Sequence, residues 1–397
     1  MANDKLQINF NPPGYTDLGE MAEPMSKKRI MKWGRWLLLL FIFLNCMPYV
    51  RKEEKENLVR VALLANVEQI NISGIKDNKF YDEYQILLNS KFPLAIEPYQ
   101  GFVKVNGTLY HGYLNIQNIS GKLWVINILS IEDYLKGVVP CEIGKISKNL
   151  IEAAKAQAVA ARTYTYSHLN QYRALGFDLY ATIQDQVYNG FAAENELTNT
   201  AIKETTGEIL VFKKKPIDAK YHSTCGGRTA DFNDAWPGKA PPYLKSVNCV
   251  YCKDSPQYQW TKKSSRKDFF LTLRSNLAKI GINLAGTERV KNFKLIKNKK
   301  SKRVTKIIII TTQNQYPIET YNIRKVLGDE RDPGGALKSN YITLKTEKDS
   351  VIIEGRGYGH GVGMCQFGAL EMARRGKNYK EILYHYYPGT RIKRNKS

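Results

Sequence analysis

Leu150-Ile-Glu-Ala-Ala-Lys-Ala-Gln-Ala-Val-Ala-Ala-Arg-Thr-Tyr-Thr-Tyr-Ser-His-Leu-Asn-Gln-Tyr172 decides the fold class, because the period of the chain changes here. Leu150, Ala154, Ala158 and Ala161 share one face of a 3.6-residue period, and Ser147 is the expected N-cap. So much alanine implies close packing against another backbone. Upstream the period is two: 59–63, 101–114 and 122–129 alternate as strands, with turns at Gly74, Asn106-Gly107 and Gly121. Downstream, a helix over about 194–206 stops at Gly207. Strands follow at 209–212 and 219–222 around a Lys-Pro turn. Residues 261–303 are lysine-rich and poorly patterned. A hairpin (293–297 with 304–312), strands at 341–346 and 351–354, and helices at 369–375 and 379–386 complete the chain. Without a regular β-α-β rhythm the class is α+β, a mixed β-rich body with an Ala-rich helix.

The 397 residues carry 60 Lys and Arg against 37 Asp and Glu, a formal charge of +23. A field that strong acts on anionic partners: nucleic acid, lipid surfaces or acidic polymers. No nucleic-acid-binding module is present, so no nucleic-acid partner is expected. Lys27, Lys28, Arg29, Lys32 and Arg35 crowd before an apolar run at 36–50, whereas Arg51, Lys52 and Lys55 beyond it are balanced by Glu53, Glu54 and Glu56. That asymmetry predicts a cytoplasmic tail over 1–35, a single membrane pass and an extracytoplasmic body over 58–392 in the cell envelope. At about 15 residues the run is short of the ~20 that span a bilayer comfortably. It reads as a short signal anchor or a signal-peptide core, with no Ala-x-Ala cleavage site behind it. Residues 260–345 read as a lysine-rich subdomain or insertion.

Three segments carry chemistry. In Ile131-Glu-Asp-Tyr-Leu-Lys-Gly-Val-Val-Pro-Cys-Glu142, Gly137 and Pro140 are expected to break the chain, and Val138, Val139 and Cys141 give Glu142 an apolar setting. A carboxyl desolvated in this way keeps its proton to higher pH, as a general acid requires. In Gly355-Arg-Gly-Tyr-Gly-His-Gly-Val-Gly-Met-Cys-Gln366, glycine alternates from 355 to 363. An extended chain would then show one face of bare backbone and another with Arg356, Tyr358, His360 and Val362. Bare backbone admits the close approach of a ligand or of another chain segment. In Tyr221-His-Ser-Thr-Cys-Gly-Gly-Arg-Thr229 and Asn248-Cys-Val-Tyr-Cys252, the residues His222, Cys225, Cys249 and Cys252 suit a structural zinc site. A disulfide or free thiols are the alternatives.

Together these segments resemble the stage II sporulation protein D family (the SpoIID/LytB domain) over about 58–392. Further matching stretches are Ala153-Ala-Lys-Ala-Gln-Ala-Val-Ala-Ala-Arg-Thr-Tyr164, Gln184-Asp-Gln-Val-Tyr-Asn-Gly190 and Tyr384-His-Tyr-Tyr-Pro-Gly389. The resemblance implies a membrane-anchored lytic transglycosylase that cuts peptidoglycan glycan strands stripped of their stem peptides. It would work beside a cell-wall amidase, in sporulation engulfment or in division. Glu142 falls on the catalytic glutamate, with Tyr358, His360, Gln366, Ser223 and Arg162 as expected substrate contacts in a glycan-binding cleft. Ile143 and Cys365 depart from the Met and Ser frequent at those places. Lytic cleavage uses the sugar's own 6-hydroxyl as nucleophile, so one carboxyl serves as acid and then base, unlike hydrolysis with two carboxylates. The competing expectations are a non-catalytic amidase enhancer that binds glycan and a zinc hydrolase built on His222.

Overall fold

The computed structural model describes residues 57–395. The tail 1–35 and the apolar run 36–50 lie outside the described residues. Among the described residues, no helix is long and apolar enough to cross a membrane.

Alternation organises the N-terminal half. The strand Lys122–Ser130 lies between Tyr113–Ile119 and Leu58–Val67 in a five-stranded sheet, with Leu94–Ile96 and the parallel Leu179–Tyr180 at its edges. Leu123 and Val125 join Leu114 and Ile116 in a layer shared with a four-stranded sheet, which contributes Ile70, Ile72, Ile86, Val103 and Val105. Trp124 and Ile126 point to the opposite face and meet Phe177 and Ala62, the consequence of a two-residue side-chain period. Asn106 and Gly107, both at positive φ, form the two-residue turn joining Phe102–Val105 to Thr108–His111.

Seven α-helices occur among the described residues: α1 (Ile131–Ile143), α2 (Ile151–His168), α3 (Glu196–Glu204), α4 (Arg266–Ala278), α5 (Thr320–Val326), α6 (Gln366–Arg374) and α7 (Tyr379–Tyr386). The architecture is α+β, as the mixed periods predict. Ser130 caps α1, its hydroxyl accepting the Asp133 N–H at 3.1 Å, and Gly144 at φ 76° ends it. Gly137 and Pro140 do not break the chain; both lie inside α1. Gly137 is there for space, since a Cβ would stand 2.5 Å from the Tyr188 ring. Pro140 costs the helix one backbone bond.

α2 follows a 3-10 turn at Lys148–Leu150, and Ser147 makes no side-chain cap. Ala153, Ala154, Ala156, Ala158, Ala160 and Ala161 are all fully buried, and α2 packs against α1, α3, α6, α7 and the strand Glu208–Phe212. A helix covered on every side is a core helix, and alanine is what lets several neighbours approach it. Enlarging one of these alanines to leucine would overpack the core by about 1–3 kcal/mol.

Residues 259–356 build around a hydrophobic cluster of their own, which includes Phe269, Leu273, Ile307, Ile309, Val351 and Ile353. Two three-stranded sheets, one of them the Val290–Lys297 and Val304–Thr311 hairpin extended by Gln315–Glu319, pack with α4 and α5. The poorly patterned stretch thus holds a strand, Gln259–Ser265, and α4. Only Phe269, Leu273 and Leu277 of α4 are buried, a stripe too narrow to stand out among lysines.

Candidate active site

Glu142 stands half-buried in the last turn of α1. Its Oε2 accepts Gln366 Nε2 at 3.1 Å and its Oε1 accepts the Val187 backbone N–H at 3.3 Å. Gln366 opens α6, and its amide also lies 3.5 Å from Gln157 Oε1 on α2. Val187 is presented by the loop 184–190, which Gln186 pins from inside. The Gln186 amide donates to the Tyr221 hydroxyl at 2.8 Å and its carbonyl accepts Thr165 Oγ1 at 3.0 Å.

Burial holds the Glu142 carboxyl above the usual carboxylate range, and the Gln366 and Val187 donors pull it partly back. Its place in the helix acts in the same direction as burial. The C-terminal end of α1 carries partial negative charge and disfavours a carboxylate. Val138 and Val139, four and three residues back on the same helix, are fully buried in the core. The Tyr221 phenol is held well above its ordinary value by burial and then by the Glu142 charge. Cys141 donates to Gly137 O and its thiol is pushed up to about 11 by burial and then by Glu142. A carboxyl held this way can release a proton and later recover one while two neutral donors keep it in place.

The glycine run is not an extended strand with one bare face. Gly355 ends up under Trp260, but Gly357, Gly359, Gly361 and Gly363 have φ of 78°, 101°, 83° and 73°, values open to glycine and strained for other residues. A Cβ at 357 would stand 2.5 Å from Thr224 O and one at 359 would stand 2.9 Å from His222 Cβ. At 361 and 363 it would overlap the Arg303 guanidinium and Lys220 O. Of the two close approaches foreseen, a ligand or another chain segment, the structure shows the second, made by 220–225 and Arg303. The run threads past that segment, pairs Tyr221 and His222 with Met364 and Cys365, and delivers Gln366 to the start of α6.

The remaining expected contacts divide. His360 donates from Nε2 to Tyr221 O at 2.9 Å and accepts the Val362 N–H on Nδ1 at 3.1 Å. Burial, then the nearby His222 and Lys220, keep it neutral, well below its ordinary value. Both ring nitrogens are committed, so His360 steadies Tyr221 and offers no hydrogen bond to a sugar. Tyr358 pairs through its backbone with Thr224, and Ser223 O accepts the Phe367 N–H at 3.1 Å. Among the described residues, no hydrogen bond joins Tyr358 or Ser223 to Glu142. Arg162 is a correction: it has no exposed surface. Its Nε and Nη2 bind both Glu132 oxygens at 2.8 and 2.7 Å, and Nη1 and Nη2 donate to Glu208 O and Ile202 O. It ties α2 to α1 and α3 and cannot reach a substrate. Val187, Gln157 and Tyr221 escaped the sequence reading. Val187 contributes only its N–H, which no residue type signals.

The cysteine set is also corrected. The Sγ atoms of Cys225, Cys249, Cys252 and Cys365 lie within 4.8 Å of one another, all buried, and none is in a disulfide. Cys365, not His222, is the fourth member. His222 donates from Nδ1 to Val362 O at 3.1 Å, and its Nε2 is buried without a partner. Burial, then Arg303, bring its pKa down to about 3, so it is neutral.

A family model described as stage II sporulation protein matches residues 119–212, which hold α1, α2 and the loop 184–190. A model of a domain of unknown function matches residues 250–363. An uncharacterized protein of Brachyspira hyodysenteriae is 37% identical over 300 residues, 75% of this chain and 76% of that protein. The amidase enhancer of Bacillus subtilis is 34% identical over 295 residues, 65% of this chain but only 40% of that protein. Stage II sporulation protein D of Bacillus subtilis is 32% identical over 279 residues, 66% of this chain and 74% of its own length. The chain therefore belongs to the stage II sporulation protein D family.

Proposed function

We propose that the chain is a lytic transglycosylase that cleaves peptidoglycan glycan strands, preferring strands stripped of stem peptides, with Glu142 as acid and then base. The observation that carries this reading is the state of Glu142: its pKa is raised by burial, and it is held by an amide and an N–H instead of a cation. A cation would keep it ionised. In the first half of the reaction Glu142 gives its proton to the glycosidic oxygen as the bond to the anomeric carbon breaks. In the second, the 6-hydroxyl oxygen of the same sugar bonds to that carbon and its proton passes to Glu142, which regenerates the acid. No water and no second carboxylate enter. Gln366 and Val187 hold the carboxyl through both transfers.

The glycan cleft, anchorage through 36–50, an envelope-facing location and a role in wall remodelling during engulfment or division belong to the same proposal. The +23 charge suits an anionic wall. One relative is named an amidase enhancer, which supports a cell-wall amidase as partner and also a second reading, a glycan binder without activity of its own. Mass spectrometry of denuded peptidoglycan treated with wild type or Glu142→Gln separates the two. The proposal expects 1,6-anhydro ends from wild type alone. Stimulation of an amidase by wild type with no anhydro ends would favour the binder.

A further inference from the structure

We infer that Cys225, Cys249, Cys252 and Cys365 together hold one zinc ion as a tetrathiolate that staples three distant chain segments at the start of α6. Tetrahedral zinc with bonds of about 2.3 Å to sulfur places its ligands about 3.8 Å apart. The four sulfurs here all lie within 4.8 Å, and Cys225 and Cys252 are 3.4 Å apart. They form a group of four and not two pairs. The C-x2-C spacing of Cys249 and Cys252 is a common half of such a site.

Two further features point to anionic sulfur. Backbone donors are aimed at one sulfur, Cys225 N and Gly368 N lying 3.3 and 3.4 Å from Cys365 Sγ, and the Tyr386 hydroxyl lies within hydrogen-bond reach of Cys249 Sγ at 3.2 Å. Such outer bonds hold thiolate ligands in place around a metal. The second feature is Arg303, whose side chain is wholly buried. It donates to Cys225 O at 2.8 Å, its Nε has no partner, and among the described residues no carboxylate forms an ion pair with it. Asp234 acts on it only from beyond ion-pair contact, and a buried guanidinium without a contacting anion is costly. A divalent ion with four thiolates carries two net negative charges beside it. Tetrahedral four-sulfur sites take zinc or iron, and zinc, which has no redox chemistry, suits a purely structural staple.

The staple joins the turn after His222, the loop ending at Cys252 and the N-cap of α6, which is Cys365 itself. A Cβ on Gly368 would overlap Tyr386 Oη and stand 2.9 Å from Cys249 Sγ, so α6 packs directly on the site. Gln366, one residue on, is held at Glu142 by the same anchorage.

The test is the metal content of the full-length chain, purified in reducing buffer without chelator. One zinc per chain is expected, with thiols of the cluster titrating only after chelation or unfolding. Cys252→Ser and Cys365→Ser should each lose most of the zinc, and Cys141→Ser should keep it. Hydrogen exchange should rise together in 222–228, 248–253 and 364–370 when zinc is stripped. Metal-free wild type with oxidised cysteines, or iron in place of zinc, would overturn the assignment without reference to any variant's folding. Zinc kept in Cys365→Ser but lost in His222→Ala would overturn the ligand set. The readouts do not depend on glycan cleavage, so failure of the proposed activity and failure of the zinc site are separate results.

Discussion

The two ends of α1 each carry a glutamate in a different condition. Glu132, in the first turn, faces the positive end of the helix, accepts both arms of Arg162 and takes the Gly207 N–H at 3.2 Å. A cation and a backbone N–H contact it there, at the end of the helix where a carboxylate is favourably placed. Glu142, in the last turn, faces the negative end, is half-buried and, among the described residues, has two neutral donors. The difference teaches how to tell a structural carboxylate from a working one. The first is fully compensated and its charge is part of the scaffold. The second is held in place yet under-compensated, so its proton can be moved.

The largest expected effect breaks the comparison at its working end. Glu142→Gln should lower anhydro-product formation by about 10²–10⁴-fold, the usual worth of a general acid, with the circular dichroism spectrum unchanged. Glu132→Gln should leave turnover within a few-fold and lower the melting temperature. At the structural end, Arg162→Met should destabilise the fold by on the order of 3 kcal/mol, the low end for breaking a buried pair because Glu132 remains partly solvated. Urea denaturation reads this. Loss of glycan affinity at unchanged stability would return Arg162 to the substrate site.

Gln366→Leu should cost roughly tenfold in rate, the scale of a hydrogen bond to a charged group. It also removes a donor that lowers the Glu142 pKa. The alkaline limb of the rate profile should therefore move to higher pH, since the acid form persists longer. A limb that moves down would reverse the assigned role.

The smallest effect sharpens the contrast through stability. Folded Glu142 keeps its proton above the pH at which the unfolded chain releases it. Its ionisation therefore costs stability as pH rises from the ordinary glutamate range through the raised value. Glu142→Gln should melt above wild type at neutral pH, and the gap should close in acid, where both side chains are neutral. An equal gap at all pH values would show that burial does not act on this carboxyl.

Much of the fold was legible in local pattern. The alternation at 122–129, the Asn106-Gly107 turn, the alanine helix and the helices near 369–375 and 379–386 all follow from neighbours one to four residues apart. Three of the four clustered cysteines were also legible. The glycine run was legible as unusual but misread in mechanism, because alternation alone cannot separate an extended strand from a chain of left-handed glycines packed on 220–225. Arg162 was misread because residue type does not report burial.

The sequence by itself determined the periods, the caps and turns, the mixed α+β class and the identity of the one glutamate worth testing, since these depend on short-range sterics and hydrogen bonds. Only the tertiary structure decided that Glu142 closes a helix instead of sitting in a loop before one. It also decided that Val187 and Gln366, 45 and 224 residues away in the chain, are the groups that hold it, and that Cys365 replaces His222 in the sulfur cluster. Those outcomes depend on which distant surfaces pack together, and packing is a property of the whole chain that no local spacing records.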